Sequence, residues 1–435
     1  MYNLKDKTIE EIINLEQKRQ QDWIEMIASE NYVSKDVMMA CANFFTNKYS
    51  EGYVGKRYYW WQEYVDKLES ITQERALKIF WLDWDSWHVN VQPLSGWPAN
   101  LAVYIGVLNV GDTILWMDLS SWGHLTHGHK LNASGIYYNI VSYWVKKEDN
   151  LIDYDEILQK ALEYKPKLIL AWFSAYPRQI DWQKFKQIVD QIEDKYWYRP
   201  ILMADIAHVA GLIAGEAYHW PFPWFDIVTT TTHKTLRWPR WWLIYCKKDY
   251  QKQIDKWVFP WVQWWPHQHI IASKAVAFGE ILYWLNFDEN FEELQKTSFK
   301  EYAKKVVDNA KVLATSLQDL WWNITTWWTD NHIVLLDITK KNWNNTNIWW
   351  KQAEIILENV WISTNKNVLP FDDRQPLDPS GLRLWTAAVT TRGFWESEIK
   401  KIAFIIDNAL INSDNEKTLS DMQKQINDLC QKFPI

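Results

Sequence analysis

The chain reads as an α/β protein with a mostly parallel central sheet covered by helices, followed by a smaller C-terminal α+β domain. Short apolar runs such as "DTILWMDL", "PKLILAWFSA", "PILMADIAH" and "FDIVTTTT" alternate with helical stretches of 10–15 residues. These runs are mostly apolar, with threonines closing the last, and show no apolar/polar alternation, as expected of strands buried on both faces,. Beyond about residue 270 the alternation gives way to long helices around a few strands, which marks a second domain.

Taken in order, Thr8 and Glu11 have the spacing of a capping box, and Ile9, Ile12 and Ile13 begin an apolar stripe, so a helix is expected to about Ala28. "ASENYVSKDV" is polar and turn-like. "YVDKLESITQERALKIF", "ANLAVYIGVL", "DYDEILQKALEYK" and "KFKQIVDQIEDK" are helical, and the apolar runs between them are strands. "FDIVTTTT" and "WLIYCKK" are strands around Lys234. "SKAVAFGEILYWL" and "FKEYAKKVVDNAKVLATSLQDL" are long helices. "HIVLLDI" is a strand, "KQAEIILENV" a helix and "GLRLWTAAVTTRGF" a strand and turn. The expected division is an N-terminal helical arm over residues 1–48, a large domain over 49–275 and a small domain over 276–435.

A chain of 435 residues is long enough for more than one core,. The formal charge of -7, with 47 basic and 54 acidic residues, argues against nucleic acid or an anionic membrane as the main partner. Cys41, Cys246 and Cys430 are scattered, with no CxxC pair, so neither a disulfide framework nor a metal site is expected. The charged start lacks an apolar leader core and no run is long enough to span a bilayer. A cytoplasmic location is the expectation.

Ligands in open α/β sheets bind outside the carboxyl ends of the strands. There the sequence offers Asp205 and His208 in "MADIAHVAG", His233 and Lys234 in "TTTTHK", and Ser95-Gly96 opening a helix. Singly, Asp205 could cap a helix, Lys234 could be a solvated surface residue, and either histidine could be a hydrogen-bonded core residue. Together they suit pyridoxal 5'-phosphate. The lysine amine forms a Schiff base with the aldehyde, the carboxylate keeps the pyridine nitrogen protonated, and the helix N-terminus takes the phosphate.

"IASENYVS", "NKYSEGYVGKRYY", "GHLTHG", "FSAYPRQIDW", "ADIAHVAGLIAG", "TTTTHKTLR", "NKNVLP" and "GLRLWTAAVTTRGF" stand in the order and spacing of the serine hydroxymethyltransferases. The chain resembles that family from about residue 5 to its end. The resemblance implies a fold-type I pyridoxal-phosphate enzyme, a homodimer or homotetramer with shared active sites. It also implies interconversion of L-serine and tetrahydrofolate with glycine and 5,10-methylenetetrahydrofolate. Lys234 would carry the cofactor covalently, Asp205 would pair with the pyridine nitrogen, His124 would stack on the ring and His208 would sit beside its hydroxyl. Ser95, Gly96 and His233 would hold the phosphate, with Trp264 and Trp265 standing where a partner subunit's phosphate is touched. Arg383 and Ser29 would bind the substrate carboxylate, and Glu51 would be the acid or base for the hydroxymethyl group. Tyr49 and Tyr59 would reach into the neighbouring site, and Leu119, Leu125 and Asn367 would line the folate site. A folate-independent aldolase of threonine-like substrates is the alternative, against which "YSEGYVGKRYY" and "NKNVLP" weigh. A folate- or RNA-binding scaffold finds no basic patch to support it.

One property departs from this pattern: the chain has 33 Trp and only 13 Gly. An ordinary chain of this length would hold about 30 Gly. Trp60, Trp61, Trp172, Trp238, Trp241, Trp242, Trp264, Trp265 and Trp385 stand where the family has glycine, and Trp97 where it has a small residue. Two readings follow. Either most of these tryptophans are glycines in the polypeptide, written as Trp because a codon such as TGA differs in meaning between genetic codes, or the chain is a Trp-rich paralogue without activity. Trp182 stands where the family tolerates an aromatic.

Overall fold

The structure, a computed structural model, describes residues 3–123, 125–283, 298–342, 344–346, 348–374 and 378–435. The chain divides into two compact units, residues 33–304 and residues 1–32 with 305–435.

The unit of residues 33–304 is built on a seven-stranded sheet. Its strands are β1 (Trp87–Asn90), β2 (Thr113–Met117), β3 (Asn139–Tyr143), β4 (Leu168–Trp172), β5 (Ile201–Asp205), β6 (Ile227–Thr231) and β7 (Trp242–Lys247). Their spatial order is β1-β7-β6-β5-β4-β2-β3. Strands β2 to β6 run parallel, and β7 is inserted antiparallel between β1 and β6. Every residue of β4 and β6 is buried, which is why these strands are unbroken apolar or threonine runs. The core joins Leu168, Leu170, Met203, Ile227 and Ile244 of the sheet to Ala99, Ala102 and Val103 of the helix Gly96–Val107.

The helices follow their apolar period. In Trp182–Tyr196, Phe185, Ile188, Val189 and Ile192 are buried, and Asp181 caps the start by accepting from the Lys184 N–H. Strands β1 and β3 were not anticipated. β1 is a four-residue mix of Trp, His, Val and Asn, too short and too polar to show a period.

The unit of residues 1–32 and 305–435 carries a second, antiparallel sheet in the order Trp322–Ile324, Ile333–Lys341, Gly381–Trp385, Asn365–Asn367. Its core includes Leu313, Leu317, Val334, Leu336, Leu382, Ile402, Ile406 and Ile426. The terminal helices Glu396–Ile411 and Glu416–Lys432 cover it. "GLRLWTAAVTTRGF" forms a strand and a short helix, Ala387–Thr391, in place of strand and turn.

These units do not follow boundaries near residues 48 and 275. The first helix, Lys7–Asp22, ends well before Ala28, and Asp6 caps it, not Thr8. Ile24–Glu25 then pairs in parallel with Ile362–Ser363. Arg392 fixes this arrangement. It is 2% exposed, and its guanidinium donates to the carbonyls of Phe433 at 2.7 Å, Trp23 at 2.9 Å, Cys430 at 3.0 Å and Gln20 at 3.2 Å, and also to that of Gln21. One buried cation thus gathers the orphan carbonyls at the ends of the first and last helices, groups that a helix leaves unpaired. The helix Gln268–Tyr283 belongs with residues 33–304, where Arg75 donates to the Ala275 carbonyl at 2.5 Å.

Replacing Arg392 by Met keeps the volume and strands several buried carbonyls. The expected loss is about 3 kcal/mol or more of unfolding free energy, read as a lower urea midpoint. A midpoint unchanged in Arg392→Met would show that the carbonyls find other partners.

Candidate active site

The register of the large sheet sets the site. Trp172 lies opposite Asp205, and Asp205 opposite Thr229, so the carboxyl ends of β4, β5 and β6 stand level. Asp205 is 4% exposed. Its Oδ1 accepts from the Ala207 N–H at 3.0 Å, and its Oδ2 accepts from Asn100 Nδ2 at 3.3 Å. His127 Nε2 lies 3.5 Å from the same Oδ2, and the Tyr104 hydroxyl holds His127 Nδ1 at 2.5 Å. Thr229 Oγ1 donates to Asn100 Oδ1 at 3.1 Å, which orients the amide toward the carboxylate. The acid is therefore held by Asn100, His127 and its own loop, not used as a helix cap.

Lys234 is buried, in the turn after β6. The turn is clamped to the loop after β5. Thr231 Oγ1 donates to the Ala207 carbonyl at 3.0 Å, and Thr235 Oγ1 to that of His208 at 2.9 Å. The Gly211 N–H donates to Thr235 Oγ1 at 2.9 Å. A Cβ on Gly211 would meet the Thr235 carbonyl oxygen at 2.3 Å, so only glycine permits this approach,. Lys234 Nζ, His127 and His208 all face one space. The Trp172 ring centroid lies 5.5 Å from Lys234 Nζ, 5.3 Å from the His127 ring and 5.7 Å from the His208 ring.

Ser95 begins the helix Gly96–Val107 without a side-chain cap, and the next residue but two is Pro98. The Trp242 ring presses on this helix end, so closely that a Cβ on Gly96 would meet its Cζ3 at 2.6 Å. Burial first, then the charges of Lys234 and Arg240, pull His233 down to about 3. Its Nδ1 is buried without a hydrogen-bond partner among the described residues.

The other expected residues stand on other elements. Tyr49, Tyr59 and Trp265 form an exposed aromatic cluster, with ring centroids 5.9 Å apart for Tyr49–Tyr59 and 4.6 Å for Tyr49–Trp265. Glu51 follows in the same segment, its carbonyl accepting from the Tyr58 N–H at 3.2 Å, and Trp264 is exposed. Leu119 is half-buried against the core of the large sheet. Leu125 opens the short turn Leu125–His127. His124 lies outside the described residues. In the other unit, Arg383 sits mid-strand, and its Nε donates to Asn365 Oδ1 at 3.3 Å. Burial lowers its guanidinium to about 10, which leaves it charged at neutral pH. Asn367 is on the neighbouring strand, opposite Gly381. Ser29 is in the turn after Ile24–Glu25, its N–H donating to the Ile27 carbonyl at 2.7 Å.

Sequence reading missed His127, Asn100 and Thr229. A polar residue alone inside an apolar helical run, as Asn100 is in "ANLAVYIGVL", was the available signal, since a buried amide needs a partner.

A buried lysine and a buried aspartate at the strand ends of a mostly parallel sheet, beside a helix N-terminus, define a pyridoxal-phosphate enzyme of the fold-type I class. The family profile described as serine hydroxymethyltransferase matches residues 2–406. The chain belongs to that family, whose enzymes depend on pyridoxal phosphate.

The polar groups suit that cofactor, but the space does not. The volume bounded by Lys234, His127 and His208 is filled by the indole of Trp172, 2% exposed. The end of the helix Gly96–Val107 is covered by a second indole, Trp242. A substituted pyridine cannot share the first space, nor a phosphate the second. With tryptophan at these positions the chain does not accommodate the cofactor of its family.

Because the folded state holds His233 neutral while the unfolded chain protonates it near pH 6.5, the unfolded state binds more protons below that pH. His233 therefore removes stability as pH falls from about 6.5 toward 3,. Denaturant midpoints of the native chain and His233→Asn should diverge in favour of the variant as pH drops through this window. Parallel curves would show that the imidazole is protonated without penalty.

Proposed function

We propose that the functioning protein interconverts L-serine and tetrahydrofolate with glycine and 5,10-methylenetetrahydrofolate. The reading is supported by family membership and, in this chain, by one observation. The Lys234 amine lies 5.5 Å from the Trp172 ring centroid, and His127, whose Nε2 is 3.5 Å from the Asp205 carboxylate, lies 5.3 Å from the same ring.

In this reading Arg383 clamps the substrate carboxylate, a task suited to a planar guanidinium with two parallel N–H donors, and Ser29 adds a further contact. Glu51 moves a proton at the hydroxymethyl group. The cofactor, when bound, supplies an electron sink for the substrate. Asp205 would hold its ring nitrogen, His208 its hydroxyl, and Ser95, Gly96 and His233 its phosphate. His124, outside the described residues, would be the residue to stack on its ring. Leu119, Leu125 and Asn367 line the folate site. Tyr49, Tyr59 and the segment of Trp264 and Trp265 serve a neighbouring copy, in a homodimer or homotetramer. Their exposure on this chain supports that assignment. Among the described residues no helix is long and apolar enough to cross a membrane, and we place the enzyme in the cytoplasm.

Lys234→Ala should lower serine cleavage by a factor on the order of 10³ or more, while far-UV circular dichroism stays unchanged. Retention of full turnover would remove Lys234 from the chemistry. Cleavage of serine should depend on tetrahydrofolate. Equal rates with and without it, with faster cleavage of threonine, would assign a folate-independent aldolase instead.

A further inference from the structure

We propose that the functioning polypeptide carries glycine at positions 172, 241 and 242 of the site, and at the positions now held by Trp61, Trp81, Trp122, Trp197, Trp321, Trp327 and Trp361. A codon written here as tryptophan is then decoded as glycine. At the three site positions the inference rests on the pyridoxal-phosphate reading. At the other seven it rests on backbone geometry together with the surplus of tryptophan over glycine, since Asn150, Lys165, Glu216, Arg237, Thr326, Asn342 and Phe371 also have positive φ.

Those seven tryptophans have φ between 53° and 75°. This left-handed region strains a residue with a Cβ and leaves glycine unstrained. At the exposed positions side-chain burial does not offset this, in contrast to Trp122, which is 2% exposed. Trp61 is 82% exposed and Trp197 94% exposed. Trp197 ends the helix Trp182–Tyr196 and Trp122 ends the turn Leu119–Ser121, both as left-handed caps. Glycine is the usual residue at that kind of helix end.

The site positions show a different mark. Trp241 and Trp242 are buried, and among the described residues neither indole N–H has a hydrogen-bond partner. Each such donor has lost its water without gaining an acceptor. Trp182, by contrast, donates to the His219 carbonyl at 3.1 Å. Glycine at 242 clears the N-terminus of the helix Gly96–Val107, and glycine at 172 opens the space between Lys234, His127 and His208. The groups that match the cofactor then face a cavity of aromatic-ring size. Trp238 packs edge-on to Phe278 with centroids 4.2 Å apart and carries neither mark, so it is outside the inference.

The test is peptide mass spectrometry of the protein purified from the organism that makes it. Cleavage after Lys167 and Arg178 isolates Trp172, and cleavage after Arg240 and Lys247 isolates Trp241 with Trp242. The first peptide should be lighter by one exchange of indolylmethyl for hydrogen, and the second by two. Either peptide at its written mass overturns the inference. Light peptides without serine cleavage would leave the glycine assignment standing and remove the proposed reaction. Written masses with serine cleavage would do the reverse. In a parallel binding arm, recombinant chain with Trp172→Gly, Trp241→Gly and Trp242→Gly should gain a visible absorbance band on titration with pyridoxal phosphate, and the written chain should not. Equal uptake by both chains would overturn the steric argument at the site.

Discussion

The structure turns on a single volume, the space past the carboxyl ends of β4 and β5 where Lys234, His127 and His208 converge. The groups around it are positioned at some cost. Asp205 is desolvated and then held by an amide and an imidazole, and the lysine turn is tied down by Thr231 and Thr235. A fold does not bury an acid and an amine within one wall for packing alone, because burying charge is expensive unless something is gained. An indole filling that volume makes no use of either group.

The same conflict appears far from the site as backbone geometry. The fold needs left-handed residues at the end of the helix Trp182–Tyr196 and at several tight turns, and tryptophan stands at seven of them. The demand comes from the path of the chain, which the strands and helices dictate. The residue at each point has to accept it. Glycine fits both the turns and the volume, so one substitution removes both conflicts.

In the second unit the organising contact is Arg392. A buried guanidinium accepted by five carbonyls is a way to end two helices far apart in sequence at one point. It joins the first 32 residues to the last 131 within one unit. No periodicity announces it. "TTRGF" reads as a turn, and the carbonyls that need a donor carry no side-chain signature.

Much was legible in the sequence. The parallel strands β2, β4, β5 and β6 could be read because strands buried on both faces are continuous apolar or threonine runs, and their helices because one face is apolar. Lys234, Asp205 and Ser95-Gly96 were readable because strand ends are where open α/β sheets place ligands. The short strand β1, the polar partners Asn100 and His127, and the units' true boundaries were not, since each depends on what lies opposite in space. The sequence by itself determined the order of elements, the family and the surplus of tryptophan over glycine, all properties of residues along one dimension. Only the tertiary structure decided which tryptophans are at odds with the fold, because φ, a missing hydrogen-bond partner and an occupied cavity exist only once distant segments meet.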